Sequence, residues 1–299
     1  MARRRGNYDF LGKFSYYVPG AGGILTLLAL LLIGALTGSL AVFILGAVAG
    51  PGAVKEYGTL LSYPIMFIPP MLYASVKSGT ASMNTGGYKL DSKHFAPSGT
   101  SWCIIAAVIG TLATGFWADG LVGLLPPMPQ FLKDALTGLT TGKVWVSFLT
   151  VSIFAPLFEE WLCRGMVLRG LLARGACKPG WAIVISAVFF ALIHFNPWQA
   201  VPAFLMGCLF GYVYYRTGSL RLTMLMHFTN NSFALLCGHI DALKDAEGWI
   251  DVMQPGSYVI LSMACFLLTV LSVLTFRKVQ CTDERGNIDI TASIFGSDE

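Results

Sequence analysis

A series of apolar runs, most of them long enough to cross a bilayer, constrains this chain before any other feature does. They fall near 23–49, 57–76, 101–124, 144–168, 199–217, 220–238 and 256–276, with a shorter one at 181–195. A spanning helix needs about 20 predominantly apolar residues, since each residue adds about 1.5 Å across a hydrocarbon core about 30 Å thick. In hydrocarbon every backbone N–H and C=O must be satisfied within the protein, so only helices and closed barrels span it, and runs of this length select helices. The expected fold is all-α: a polytopic membrane helical bundle of about eight transmembrane helices. Composition agrees, with 55% hydrophobic and 12% charged residues where soluble proteins carry roughly 25% charged. No cleavable signal stands out, because Arg3, Arg4 and Arg5 lead into polar NYDFLGK and then a run too long for a signal core.

Lys and Arg set the orientation. A cytoplasmic N-terminus places Arg3, Arg4, Arg5, Lys13, Lys77, Lys89, Lys93, Arg169, Arg174, Lys178, Arg216, Arg221, Arg277, Lys278 and Arg285 inside, leaves Lys55, Lys133, Lys143 and Lys244 outside, and puts Arg164 within a span. The outer loop 239–255 is instead acidic, with Asp241, Asp245, Glu247 and Asp251. The expectation is a multi-pass integral protein with both termini cytoplasmic, and the Arg-rich start and compact loops read as a bacterial cytoplasmic membrane. The net charge of +4 follows from this asymmetry and does not point to nucleic acid. The seven cysteines show no CxxC pairing and read as small hydrophobes. Three regions follow: 1–143, N-terminal spans and loops; 144–238, which holds every unusual polar group; 239–299, the last span and a polar tail expected to be flexible. Residues 77–100 read as a polar cytoplasmic loop, and 126–143 as a linker with a short interfacial helix.

Three polar clusters interrupt the apolar runs of the middle region. Glu159, Glu160 and Arg164 lie in FEEWLCRGMVL, His194 ends AVFFALIH, and His227 and Asn231 sit in LMHFTNNSF. Ionisable groups at membrane depth are costly and usually face each other or a wet cavity. Residues four apart share a helix face, so Glu160 and Arg164 pair while Glu159 points about 100° away. Pro156 removes the hydrogen bond to Ser152 and loosens the backbone just before this point. A carboxylate in an apolar pocket suits general-base work. His227 and Asn231 share a face and can both donate to one oxygen, as a developing oxyanion requires. Each cluster also has a plainer reading: the glutamates brace the bundle through Arg164, His227 and Asn231 bond to a neighbouring helix, and His194 is interfacial. At about 1.5 Å per residue, Glu159 lies about 15 Å in from Arg169 and His227 about 9 Å in from Arg221. Tilt or a deeper helix start must absorb that mismatch. The run 181–195, about 22 Å as a helix, is too short to span, so a turn at Asn196-Pro197 within the bilayer would hold His194 near mid-depth.

EEWLCR fits an EExxxR element, Phe190 to His194 fits FxxxH, and His227 to Asn231 fits HxxxN, in that order on successive apolar segments. Together with the flanking RGMVLRGLL and GYVYYRTGSLRLTMLMH, they resemble the CPBP intramembrane proteases, which include the type II CAAX prenyl endopeptidases and bacterial bacteriocin-processing or immunity relatives. The resemblance covers 144–238. It implies an endopeptidase acting on a membrane-associated peptide or protein, prenylated in some members. Carried over by position, Glu159 would activate water with His194 orienting it, His227 and Asn231 would stabilise the oxyanion, and Glu160 and Arg164 would support the site. Glu159, His194 and His227 also offer an O/N/N set of the type zinc accepts, although there is no HExxH. Two alternatives stand beside this reading. One is a non-catalytic immunity or scaffold protein on the same fold. The other is a secondary transporter, against which no second half mirrors the clusters.

Overall fold

In the computed structural model, residues 11–82, 89–92, 94–140, 143–243, 246, 248–282 and 287 are described. Arg3 to Arg5, Gly86 and Gly87, Lys93, Lys244, Asp245, Glu247, Arg285 and the closing GSDE lie outside the described residues. Every apolar run is helical, in the order α1 (Ala21–Ala81), α2 (Thr100–Val122), α3 (Gln130–Thr140), α4 (Val144–Ala173), α5 (Pro179–Leu192), α6 (Pro197–Thr217), α7 (Leu220–Cys237) and α8 (Pro255–Arg277). The protein is an all-α bundle. Four of these helices, α1, α2, α4 and α8, are long and apolar enough to cross a membrane by length and composition. The expectation of about eight spans counted the other runs as well; α5 has only 14 residues, and α7 is diluted by Arg221, His227, Asn230 and Asn231.

Helix α1 is a hairpin. Gly50, at φ 83°, breaks it into arms 21–49 and 51–81, a backbone setting that glycine adopts without a Cβ penalty. Facing pairs step together about that break: a methyl added at Gly34 would overlap the Met66 carbonyl, and one at Gly38 would come within 2.8 Å of the Ser62 carbonyl oxygen. Between helices in lipid there is little hydrophobic driving force, so backbones gain contact by approaching over small residues. Gly34 and Gly38, four apart, make that approach.

Helix α4 is the axis. Its most apolar stretch is 61% buried inside the protein, against 17% for α8, and every residue from Trp161 to Leu168 is buried. The second arm of α1 packs on it through Phe67, stacked on Phe158 at 5.1 Å. Helices α5, α6 and α7 surround the rest. Helices α2 and α8 pair on the far side, joined by Trp117 Nε1 and Thr114 Oγ1 to Thr269 (both 3.1 Å) and by Ser272 Oγ donating to the Ala106 carbonyl at 2.8 Å.

Two features depart from the sequence reading. The second α1 arm continues to Ala81, through the first residues of the expected 77–100 loop. The tail, expected to be flexible from Arg277, begins with a strand, β2 (Gln280–Thr282), paired antiparallel with β1 (His94–Ala96). Phe95 and Cys281, which face each other, are both buried there. The short helix expected in 126–143 is α3.

Candidate active site

The backbone of α4 loosens on both sides of the glutamates. Proline has no N–H to return to the preceding turn, and Pro156 opens the α-helical turn Ala155–Glu160. That turn lies between two π-helical segments, Phe148–Phe154 and Trp161–Leu168. Such widened turns recur at functional sites because they re-aim side chains without ending the helix.

Glu160 and Arg164 are wholly buried and joined by a 2.7 Å contact from Nη1 to Oε1. The guanidinium also donates to the Gly207 carbonyl at 3.0 Å. Its carbon lies 4.6 Å from the centre of the Phe190 ring and 5.3 Å from that of Phe210. The ring faces attract the cation where water cannot. The same Glu160 oxygen meets His227 Nδ1 at 3.1 Å. A carboxylate only accepts, so Nδ1 donates, and Nε2 is the nitrogen that faces Glu159 Oε2, 4.0 Å away. Glu159 Oε1 accepts from the Tyr63 hydroxyl on the second arm of α1. Its other oxygen is buried and has no hydrogen-bond partner in the protein.

His194 follows the end of α5. Its Nδ1 donates to the Phe190 carbonyl at 2.8 Å, leaving Nε2 as the nitrogen open to other partners. Beyond it the chain turns through Phe195 (φ 50°), and Asn196 caps α6 by accepting from Trp198 N at 3.0 Å. On α7, Asn231 donates through Nδ2 to the Val151 carbonyl at 2.9 Å and accepts from Asn230 Nδ2 at 3.1 Å. The sequence reading had His227 and Asn231 both aimed at one oxygen. In the structure one N–H of each is already engaged, because the π segment Phe148–Phe154 presents a free carbonyl to Asn231 and Glu160 claims His227.

Glu159, His194, His227 and Asn231 all line one cavity of about 530 Å³, together with Tyr63 and apolar residues of α1, α2 and α6. Glu160 and Arg164 are not part of that lining; they stand behind His227. Tyr63, Phe190, Phe210 and Gly207 were not singled out from the sequence as part of this arrangement. Among the described residues no three His, Cys, Asp or Glu side chains are placed to hold a metal ion. As arranged, Glu159, His194 and His227 do not form a set of three metal ligands.

Fold and site together define a polytopic helical membrane protein with an ionisable, apolar-walled cavity at the centre of the bundle. Residues 141–233 match the family described as Type II CAAX prenyl endopeptidase Rce1-like, and this segment is an Rce1-like domain of the CPBP intramembrane protease type. The chain is also 27% identical over 136 residues to an Escherichia coli protein described as "Uncharacterized 24.3 kDa protein". That similarity takes in 44% of this chain and spans 63% of the relative's length. No solved structure matches.

Proposed function

We propose that this protein is an intramembrane endopeptidase that hydrolyses a peptide bond of a membrane-associated, in some cases prenylated, peptide or protein. The observation that carries the reading is the convergence of Glu159 from α4, His194 from the turn after α5, and His227 and Asn231 from α7 on one cavity; the Rce1-like match supports it.

Glu159 takes a proton from a water molecule held beside its unbonded oxygen, with His194 Nε2 accepting from the same water to orient it. The water oxygen bonds to the peptide carbonyl carbon, and the carbonyl oxygen becomes the oxyanion. Asn231 donates to it through its second amide N–H, and His227, acting as the doubly protonated imidazolium with Nδ1–H on Glu160, donates through Nε2–H. Such donors stabilise charge that exists only in the transition state. As the C–N bond breaks, Glu159 passes its proton to the leaving nitrogen. Glu160 and Arg164 hold His227 and do not touch substrate. Tyr63 fixes Glu159.

We place the protein in a bacterial cytoplasmic membrane with both termini cytoplasmic, on the Lys/Arg asymmetry of its loops; reporter tags at each end, probed in sealed vesicles of known sidedness, test that. The function is tested with purified protein in liposomes, using lipid-anchored peptides with and without a prenyl group in ¹⁸O-water. Cleavage is expected to leave one ¹⁸O in the new carboxyl group. Failure to cleave any anchored peptide would sink the proposal.

A further inference from the structure

A second cavity of about 360 Å³ adjoins the first, between α2, α7 and Gly238, Leu243, Ala246, Gly248, Trp249 and Val252, which follow α7. Gly115, Asn230 and Ala234 line both, so the chambers meet at two small residues and one amide. A methyl added at Gly115 would lie 3.1 Å from Met206 Cε and 3.3 Å from Asn230 Oδ1; glycine keeps this waist clear. The second chamber has aromatic walls, with Trp249 stacked on Phe116 at 5.3 Å and on Phe233 at 6.2 Å. Among the described residues the only charged side chain in its lining is Asp119.

Asp119 is half-buried near the end of α2. One oxygen accepts from Trp249 N at 2.9 Å and from the Tyr258 hydroxyl at 3.4 Å. Both donors are neutral, and no Lys or Arg meets this carboxylate among the described residues. A carboxylate fixed by neutral donors at a cavity wall is complementary to a cation brought by a ligand. One helical turn, about 6 Å, separates Gly115 at the waist from Asp119. A Lys or Arg stem covers that span, its carbons against the rings and its head at the carboxylate.

We propose that this chamber is a specificity subsite, in which Asp119 anchors a Lys or Arg side chain of the substrate lying within about three residues of the scissile bond. The proposal deepens, and rests on, the endopeptidase reading above. Basic side chains in the substrate therefore raise kcat/KM, and they do so through Asp119.

Two measurements test it, and the first needs no catalysis. Cys237 lines the chamber, so its modification in the native protein, followed by mass spectrometry, reports on the field there. Aminoethyl methanethiosulfonate (cationic) and sulfonatoethyl methanethiosulfonate (anionic) are compared, each normalised to its rate with free cysteine. The cationic reagent should be favoured on the order of tenfold, and Asp119→Asn, which keeps both hydrogen bonds, should bring the ratio close to one. A ratio near one in the unaltered protein, or an unchanged ratio in Asp119→Asn, overturns the subsite. Second, a single Lys is moved through an anchored peptide. One position should gain roughly tenfold in kcat/KM over the Lys-free peptide, and in Asp119→Asn the ratio of the two peptides should fall to about one. Cleavage without any Lys preference also overturns the subsite. If no peptide is cleaved at all, the endopeptidase reading fails, and the thiol rates still decide whether the chamber holds cations.

Discussion

His227 and Glu160 are bonded at 3.1 Å through the oxygen that Arg164 holds at 2.7 Å. One carboxylate oxygen thus joins the arginine, which never reaches the cavity, to the histidine that lines it. The histidine's other nitrogen is left facing Glu159. Orientation of the imidazole is inherited from a buried ion pair and not from substrate.

Breaking that pair on one side should destabilise the protein strongly. Arg164→Ala leaves Glu160 buried and uncompensated, a loss of about 3–5 kcal/mol for such pairs, and Arg164→Lys recovers little because Lys cannot lie flat between Phe190 and Phe210 while bonding Glu160. Replacing both partners with Met should restore much of the stability and none of the cleavage. Thermal unfolding in detergent beside a cleavage assay separates the two; a stable, active Arg164→Ala would contradict this account.

Tyr63→Phe should fold normally and cleave roughly 10-fold to 100-fold more slowly, through kcat and not KM. The hydroxyl holds Glu159 without touching substrate, and fixed geometry of a general base is worth about that much. If KM rises and kcat stays, Tyr63 belongs to substrate binding instead.

Asn231→Ala should lower kcat by about 10²-fold to 10³-fold, the range for losing one oxyanion donor. Asn231→Asp, which cannot donate to the Val151 carbonyl, should do no better. Steady-state kinetics on an anchored peptide give both values, and near-normal kcat in either variant removes Asn231 from the oxyanion role.

In the hairpin, Gly34→Leu forces side-chain atoms into the Met66 backbone. Overpacking commonly costs about 1–3 kcal/mol, and here backbone cannot yield as a side chain would. Lower thermal stability is expected, with Gly22→Leu, where an added methyl meets nothing within 4 Å, as the neutral control.

Local pairings were legible in the sequence because they obey helix spacing. Glu160 and Arg164 meet four residues apart even in a turn that widens to π geometry. Contacts between distant segments were not. Tyr63 lies 96 residues from Glu159, and a tyrosine in an apolar run carries no mark of its partner. Asp119 likewise carries no mark of Trp249 and Tyr258, its partners more than 100 residues away. Depth counted along single helices put Glu159 and His227 at different levels, yet their side chains face each other at 4.0 Å, because such a count carries nothing about helix tilt or side-chain reach. The strand Gln280–Thr282 was invisible because its pairing depends on His94–Ala96, far off in the chain.

Everything in the proposed chemistry passes through one carboxylate, and Glu159→Gln isolates it, since the amide keeps the size and can still accept from Tyr63. The decisive measurement is the single-turnover cleavage rate of this variant against the unaltered protein, in liposomes at matched abundance and thermal stability. The account predicts a fall of at least about 10³-fold; an unchanged rate would place the chemistry elsewhere.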